Sequence, residues 1–158
     1  MILGKPHVSK TKITFDLLDP GAVVYHPNYF ILCERARSEA FEAIHYPLSD
    51  LWHKEQIALA VREAQLSYHR PLRINDEIAI FSTLEDFTGA SLGVKHQILS
   101  LTDVPGIQSG FLPQEFQWDE KKVLFQAVLR LVAVSLEAIK TTRLPEKLKS
   151  ALQLNPSL

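Results

Sequence analysis

The sequence has few of the features that characterise secreted, nucleic-acid-binding or membrane-spanning proteins. Its 158 residues include one cysteine, which excludes an internal disulfide and favours a reducing compartment. A net charge of -1 provides no basic excess of the kind that a nucleic-acid-binding surface requires. No apolar run is long enough for a membrane helix, and residues 1–10 lack the apolar segment of a signal peptide. We therefore expect a cytoplasmic protein that neither spans a membrane nor binds nucleic acid.

Motifs for metals and cofactors are also missing, and the one match to a serine-hydrolase pattern lacks the context that such a site needs. The histidines show no metal-ligand spacing such as i, i+4; they lie at positions 7, 26, 45, 53, 69 and 96. No glycine-rich phosphate loop occurs, so we expect no metal and no resident cofactor. The G-x-S-x-G pattern at residues 89–93 precedes a strand pattern, and no histidine follows His96. Because a nucleophile elbow needs a strand-to-helix turn and a downstream histidine, this match is coincidental.

Hydrophobic periodicity predicts one α+β domain over residues 1–158, with its core at about residues 8–150. Hydrophobic residues make up 46% of the chain, enough for a substantial core. Alternating apolar and polar residues predict strands at residues 8–17, 57–69, 77–87 and 91–101. Residues 123–135 are apolar at nearly every position, which predicts a central strand covered on both faces.

The longest helical pattern covers residues 27–44. Its apolar residues recur at three- and four-residue steps and form one stripe: Phe30, Cys33, Ala36, Ala40, Phe41 and Ile44. Arg37 is predicted to lie off this stripe, and Arg35 and Glu39 are one turn apart, where they can pair. Pro47 ends the pattern, because the residue before a proline disfavours helical dihedrals. An antiparallel sheet must cover this helix.

Three shorter segments complete the chain. Residues 102–122 are irregular, but Phe116 and Trp118 give them apolar surface, so we expect them to pack over the domain. Residues 51–56 are ambiguous and fit a short turn of helix. A short helix begins at Pro145, and the last few residues are expected to fray.

The turn before the long helix combines two features that suit acyl-transfer chemistry. The first turn of a helix has backbone N–H groups without partners and carries partial positive charge. The free amide of His26, just before Pro27, can therefore hold a carbonyl oxygen as it gains negative charge. Asp19, seven residues earlier across a tight turn, can fold back towards the same carbonyl. From the residues alone, a turn or capping role for Asp19 is favoured over a catalytic one.

The segment LLDPGAVVYHPNYF, followed by ERARSEAF, resembles the hotdog-fold acyl-CoA thioesterases. It is most similar to the 4-hydroxybenzoyl-CoA thioesterase type and its Tol-Pal-associated bacterial relatives. The segments SYHRPLRINDEI, GASLGVKHQIL and LFQAVLRLVAVS also fall where strands of that family fall, so the resemblance covers about residues 8–150. It implies a sheet curled around one central helix. It also implies a homodimer or homotetramer with the active site between subunits.

The family resemblance implies hydrolysis of an acyl-CoA or acyl carrier protein thioester. Asp19 either attacks the thioester carbonyl or activates water, and the His26 amide polarises the carbonyl. The His26 imidazole either orients water or makes a local hydrogen bond. The substrate pocket implied by the resemblance is formed by Gly21, Val24, Tyr25 and Tyr29. Coenzyme A enters only as part of the substrate.

The nucleotide of coenzyme A requires positive charge at the surface. Its implied contacts are Arg70, Arg73, Ser91 and Lys95, although the three cations are equally consistent with ordinary solvated charges. Leu17 replaces a second polar or acidic residue of many relatives, and Ala22 replaces a frequent glycine. These departures leave an alternative open, a non-catalytic hotdog module that binds acyl thioesters. A hydratase on the same fold is disfavoured, because its histidine and acid motif is missing.

Overall fold

The computed structural model describes residues 1–153, which combine one six-stranded sheet with helices. The strands of its antiparallel sheet are β1 (His7–Lys12), β2 (Ile57–Tyr68), β3 (Glu77–Phe87), β4 (Ser91–Ser100), β5 (Gly110–Phe111) and β6 (Phe125–Ser135). Their order across the sheet is β2-β6-β4-β3-β1-β5. The α-helices in the described range are α1 (Asn28–Glu42), α2 (Leu48–His53) and α3 (Glu146–Gln153). The α+β prediction is therefore confirmed.

Helix α1 lies across one face of the sheet, called the inner face below. Its predicted stripe is largely correct: Cys33, Ala36, Ala40 and Phe41 are buried. Phe30 and Ile44 are only partly buried, whereas Tyr29 and Leu32 join the core. Burial of this side, together with the inner-face residues of β3, β4 and β6, supplies the main hydrophobic stabilisation.

The prediction for Arg37 was wrong. Its side chain is 2% exposed and faces the core, where its guanidinium donates to the carboxylate of Glu34. The predicted pairing of Arg35 with Glu39 does not occur among the salt bridges of residues 1–153. The sheet facing Arg37 contains a buried polar pair, in which the Ser82 hydroxyl lies 2.8 Å from Nδ1 of His96. Burial and, secondarily, the charge of Arg37 lower the pKa of His96 to about 3.

Two strands show how position in the sheet controls exposure. Strand β6 lies between β2 and β4, which confirms the predicted central strand. Its inward residues are buried and its outward ones half-buried. Strand β2 is an edge strand, and most of its residues are exposed on both faces. The strand predicted at residues 8–17 ends at Lys12, and residues Phe15–Leu17 form a 3₁₀ helix instead.

The irregular segment at residues 102–122 packs over the outer face of the sheet, as predicted. There the Trp118 ring packs at a tilt against Phe81, with ring centroids 4.4 Å apart, and Phe116 lies beside both rings. These residues form a second cluster with Val8 and Leu99, separate from the core around α1. The ambiguous residues 51–56 contribute to α2 as far as His53. The predicted fraying of the last residues falls at 154–158, outside the described range.

Candidate active site

Residues 17–26 form a hairpin, called the site hairpin below, that leads directly into α1. Leu18 and Val24 pair as an antiparallel bridge, and the Asp19 N–H donates to the Val23 carbonyl at 2.9 Å. The turn closes when the Ala22 N–H donates to the Asp19 carbonyl at 3.0 Å. Ala22 has a φ of 60°, in the left-handed region that favours glycine. This conformation explains why glycine suits the position.

The Asp19 side chain is partly engaged in the turn. Its Oδ1 accepts the Gly21 N–H at 2.7 Å, as an Asx turn would predict. Its second carboxylate oxygen has no protein partner among residues 1–153. The turn therefore occupies one carboxylate oxygen of Asp19 and leaves the other available.

The backbone around His26 is fixed on both sides. The Leu17 carbonyl accepts the Tyr25 N–H at 2.9 Å and the Asn28 side-chain amide at 2.8 Å. The Tyr25 carbonyl accepts the Asn28 N–H at 2.8 Å. Because that carbonyl shares a trans peptide plane with the His26 N–H, the N–H points the opposite way. It has no acceptor within the described part of the chain, and it lies next to the positive end of α1.

A cavity of about 240 Å³ opens beside His26. The site hairpin, the first turn of α1 and the end of β2 contribute its walls, which are Val24, His26, Tyr29, Tyr68, His69, Arg70 and Pro71. The Tyr29 hydroxyl accepts the Leu72 N–H at 3.0 Å, and the Tyr68 hydroxyl donates to the His26 carbonyl at 3.1 Å. Burial is the main cause that raises the pKa of both phenols, so both remain protonated at neutral pH.

The cavity brings together four of the residues expected at the site, namely Val24, His26, Tyr29 and Arg70. The guanidinium of Arg70 also donates to the Lys121 carbonyl at 3.0 Å. Tyr68, His69 and Pro71 were not predicted. The proline after a long alternating run marked the place where β2 ends, but its approach to the hairpin depends on tertiary structure.

Other expected site residues lie outside the cavity walls. Asp19 and Gly21 occupy the tip of the site hairpin, and the exposed Tyr25 ring packs edge-on against the His26 ring at 4.7 Å. Arg73 bridges to Val23 through the backbone. The chemical roles expected of these residues stay predictions at this placement.

Of the two remaining coenzyme candidates, Ser91 lies towards the other end of the sheet and Lys95 lies in the middle of β4. Ser91 pairs with Val132 on β6, whereas Tyr68 pairs with Phe125 on the same strand. This separation of seven residues corresponds to about 24 Å along the strand. Lys95, farther along β4, lies 3.5 Å from Glu85. A single chain therefore does not bring Ser91 to the cavity.

Larger cavities of about 550 and 340 Å³ lie on the outer face beside Phe116 and Trp118. Neither of these cavities is lined by a residue of the site hairpin, so the cavity beside His26 is the better candidate for the reaction site. Within residues 1–153, no three His, Cys, Asp or Glu side chains are grouped to hold a metal ion. No helix in that range has the length and apolarity needed to cross a membrane.

Comparison with known proteins places this fold and hairpin in a family context. The chain is 30% identical over 89 residues to the acyl-CoA thioester hydrolase YbgC of Escherichia coli O6:H1, covering 56% of this chain and 66% of that protein. The match thus spans just under two thirds of that relative. This chain is also 21% identical over 140 residues to the acyl-CoA thioesterase YbgC of Haemophilus influenzae, covering 89% of each chain.

The solved structures confirm the architecture. The DHNA-CoA thioesterase from Staphylococcus aureus aligns with a TM-score of 0.74 at 16% identity, covering 92% of this chain and 87% of that one. At such low identity the likeness establishes the fold, which is the hotdog fold expected from the sequence. The family model described as the thioesterase-like superfamily matches residues 13–152. With most of its length accounted for by that model, the chain belongs to the thioesterase-like superfamily.

Proposed function

We propose that this protein hydrolyses acyl-CoA thioesters to a free acid and a thiol. One observation carries the proposal: the unpaired N–H of His26 lies at the start of α1, in a residue that lines a cavity. A preorganised donor of this kind stabilises the charge that develops on a carbonyl oxygen during acyl transfer. The names of the YbgC relatives support acyl-CoA as the substrate class. An acyl carrier protein thioester presents the same reacting group and remains a second substrate candidate.

In the proposed reaction the thioester carbonyl accepts the His26 N–H. The free oxygen of Asp19 then follows one of two routes. It attacks the carbonyl carbon, expels the thiolate and leaves a mixed anhydride that water hydrolyses; or it removes a proton from water, which attacks directly. In both routes water is consumed and the thiolate takes up a proton. Coenzyme A is a part of the substrate, and no other cofactor is required.

A second copy of the chain is proposed to complete the site. Edge strand β2 exposes Val61, Leu66 and Tyr68 beside unpaired backbone groups. Antiparallel pairing of β2 with its counterpart in a second copy would continue the sheet. It would also bring the opposite end of that copy, which carries Ser91, towards the cavity. We therefore propose a homodimer, or a homotetramer built from such dimers, with Arg70 and Arg73 supplying charge for the coenzyme phosphates.

The cavity size supports this arrangement. At about 240 Å³, it is smaller than the roughly 300–1,000 Å³ typical of complete ligand pockets. It can hold an acyl group while the coenzyme extends over the surface. The unpaired, buried Cys33 fits a reducing compartment, and the cytoplasm is the location we propose.

Release of free thiol from a panel of acyl-CoA esters tests the proposal. A thiol-reactive dye would report hydrolysis by the wild type, Asp19→Asn and the control Asp16→Asn. Asp16 is an exposed acid three residues away, outside the site hairpin, so its variant should keep full activity. Loss of a general base or nucleophile should lower kcat in Asp19→Asn by about 100-fold or more. Equal activity in Asp19→Asn and wild type would refute the assigned mechanism.

One observation favours a second candidate, a non-catalytic module that binds acyl thioesters: Asp19 does not line the cavity. Calorimetric titration with a non-hydrolysable acyl-CoA thioether separates the two. Tight binding without turnover of any ester would favour the binding module. Turnover that Asp19→Asn abolishes, with binding retained, would favour the enzyme.

A further inference from the structure

Tyr68 joins the end of β2 to the start of α1. Its hydroxyl donates to the His26 carbonyl at 3.1 Å, and its ring forms one wall of the cavity. The ring packs edge-on against Tyr29, with centroids 5.2 Å apart, and against Phe125 at 4.9 Å. The phenol is thus held in place by packing on one side while it bonds to the site backbone on the other.

This bond acts on a particular part of the backbone. The His26 N–H belongs to the peptide that joins Tyr25 to His26, and the His26 carbonyl belongs to the next peptide. On the preceding side, the Tyr25 N–H is already held by the Leu17 carbonyl. Tyr68 holds the following side. The plane that carries the free N–H is held by the bond from the Asn28 N–H to the Tyr25 carbonyl, and the Tyr68 bond holds the next plane from the sheet edge.

The end of β2 is itself well anchored, so it can serve as a fixed point. The backbone N–H groups of His69 and Arg70 both donate to the Leu124 carbonyl, at 2.9 and 3.1 Å. Tyr68 also pairs with Phe125 across the strand ladder. By contrast, His26 and Pro27 are exposed.

We propose that Tyr68 is a positioning residue for the reaction: its hydroxyl clamps the His26 carbonyl and keeps the His26 N–H directed at the bound thioester. This inference rests on the proposed hydrolase function. The His26 N–H acts when negative charge develops on the thioester oxygen. Loss of the Tyr68 bond that directs this N–H should therefore affect kcat more than KM. Because burial raises the pKa of Tyr68, the hydroxyl remains a donor through neutral pH.

Tyr68→Phe tests the proposal, since it removes the hydroxyl and retains the ring and its packing. Tyr46→Phe is the matched control, because Tyr46 is half-buried beyond the far end of α1 and outside the cavity. With the acyl-CoA ester that the wild type hydrolyses best, Tyr68→Phe should lower kcat about tenfold, with KM within about twofold. Its melting temperature should match that of Tyr46→Phe, whose kcat should equal that of the wild type.

A kcat for Tyr68→Phe within about twofold of the wild type would overturn the proposal. So would a lowered melting temperature with unchanged kcat, since that result indicates a purely structural bond. Asp19→Asn in the same assay distinguishes the two levels of the argument. If the wild type is active and Asp19→Asn is inactive, a fully active Tyr68→Phe removes only the positioning role. An inert wild type would remove the hydrolase function and this inference together.

Discussion

The pair formed by Glu34 and Arg37 offers a sharp test of the energetics of α1. Arg37 is 2% exposed, and Glu34, one turn earlier, supplies its carboxylate partner with a side chain that is 45% exposed. Glu34→Ala would leave the guanidinium buried next to the neutral His96 and without a counter-charge. Arg37→Met would instead remove the buried charge and keep most of the side-chain volume, while Glu34 stays hydrated.

The expected magnitudes follow from this asymmetry. Removing one partner of a buried ion pair typically destabilises a protein by about 3–5 kcal/mol. Because water reaches Glu34, the pair is partly screened, so we expect Glu34→Ala to lower the free energy of unfolding by about 2–3 kcal/mol. That loss corresponds to a melting temperature about 5–10 °C lower. Arg37→Met should stay within about 1 kcal/mol of the wild type.

Urea unfolding followed by tryptophan fluorescence gives these free energies directly. In the double variant, Glu34→Ala should have little further effect, so the cycle should show a coupling of about 2 kcal/mol. Glu39→Ala, at an exposed position of the same helix, is the control and should change stability by less than about 0.5 kcal/mol. The reasoning is refuted if Glu34→Ala is as stable as Glu39→Ala, or if the double variant loses as much as Glu34→Ala alone.

Two further predictions concern stability elsewhere. The pKa of His96 falls from 6.5 to about 3 on folding, so between these values the unfolded chain binds more protons and acid favours unfolding. This residue should remove about 1.4 kcal/mol of stability per pH unit below 6.5, and none above about pH 7.5. His96→Gln should flatten that slope in urea titrations at several pH values, and an unchanged slope would contradict the assignment. Ile139, 74% exposed, has a φ of 50°, a strained conformation for a β-branched residue. Ile139→Asn should therefore raise the free energy of unfolding by about 0.5–1 kcal/mol, and a loss of stability would exclude this strain.

The helix and the site hairpin could be predicted because their signals are local. Asp19, Pro20 and Gly21 define a turn within three residues, and Pro27 marks a helix start through its own fixed dihedral. The structure places a turn and a helix start at these positions. The unpaired amide of His26 follows from the same local geometry, and so it too was expected.

Features that depend on distant partners were not predictable in this way. Arg37 was predicted to lie at the surface. Its burial could not be read locally, because it is buried near the pair of Ser82 and His96, which lie on two strands far away in the chain. Tyr68 looked like one more residue of an alternating strand. Its contact with His26 depends on where the sheet places the end of β2 relative to the site hairpin, and strand order is not encoded locally. The coenzyme contact proposed for Ser91 would need a second copy, which one sequence does not describe.

The most direct test of the account is a crystal structure of Asp19→Asn with an intact acyl-CoA ester bound. The account predicts that the thioester oxygen lies about 2.7–3.2 Å from the His26 backbone nitrogen, with the substituted side chain at position 19 next to the carbonyl carbon. It also predicts the acyl group in the cavity that Tyr29 and Tyr68 line. A thioester bound more than about 4 Å from that nitrogen would contradict the central claim that this amide polarises the carbonyl.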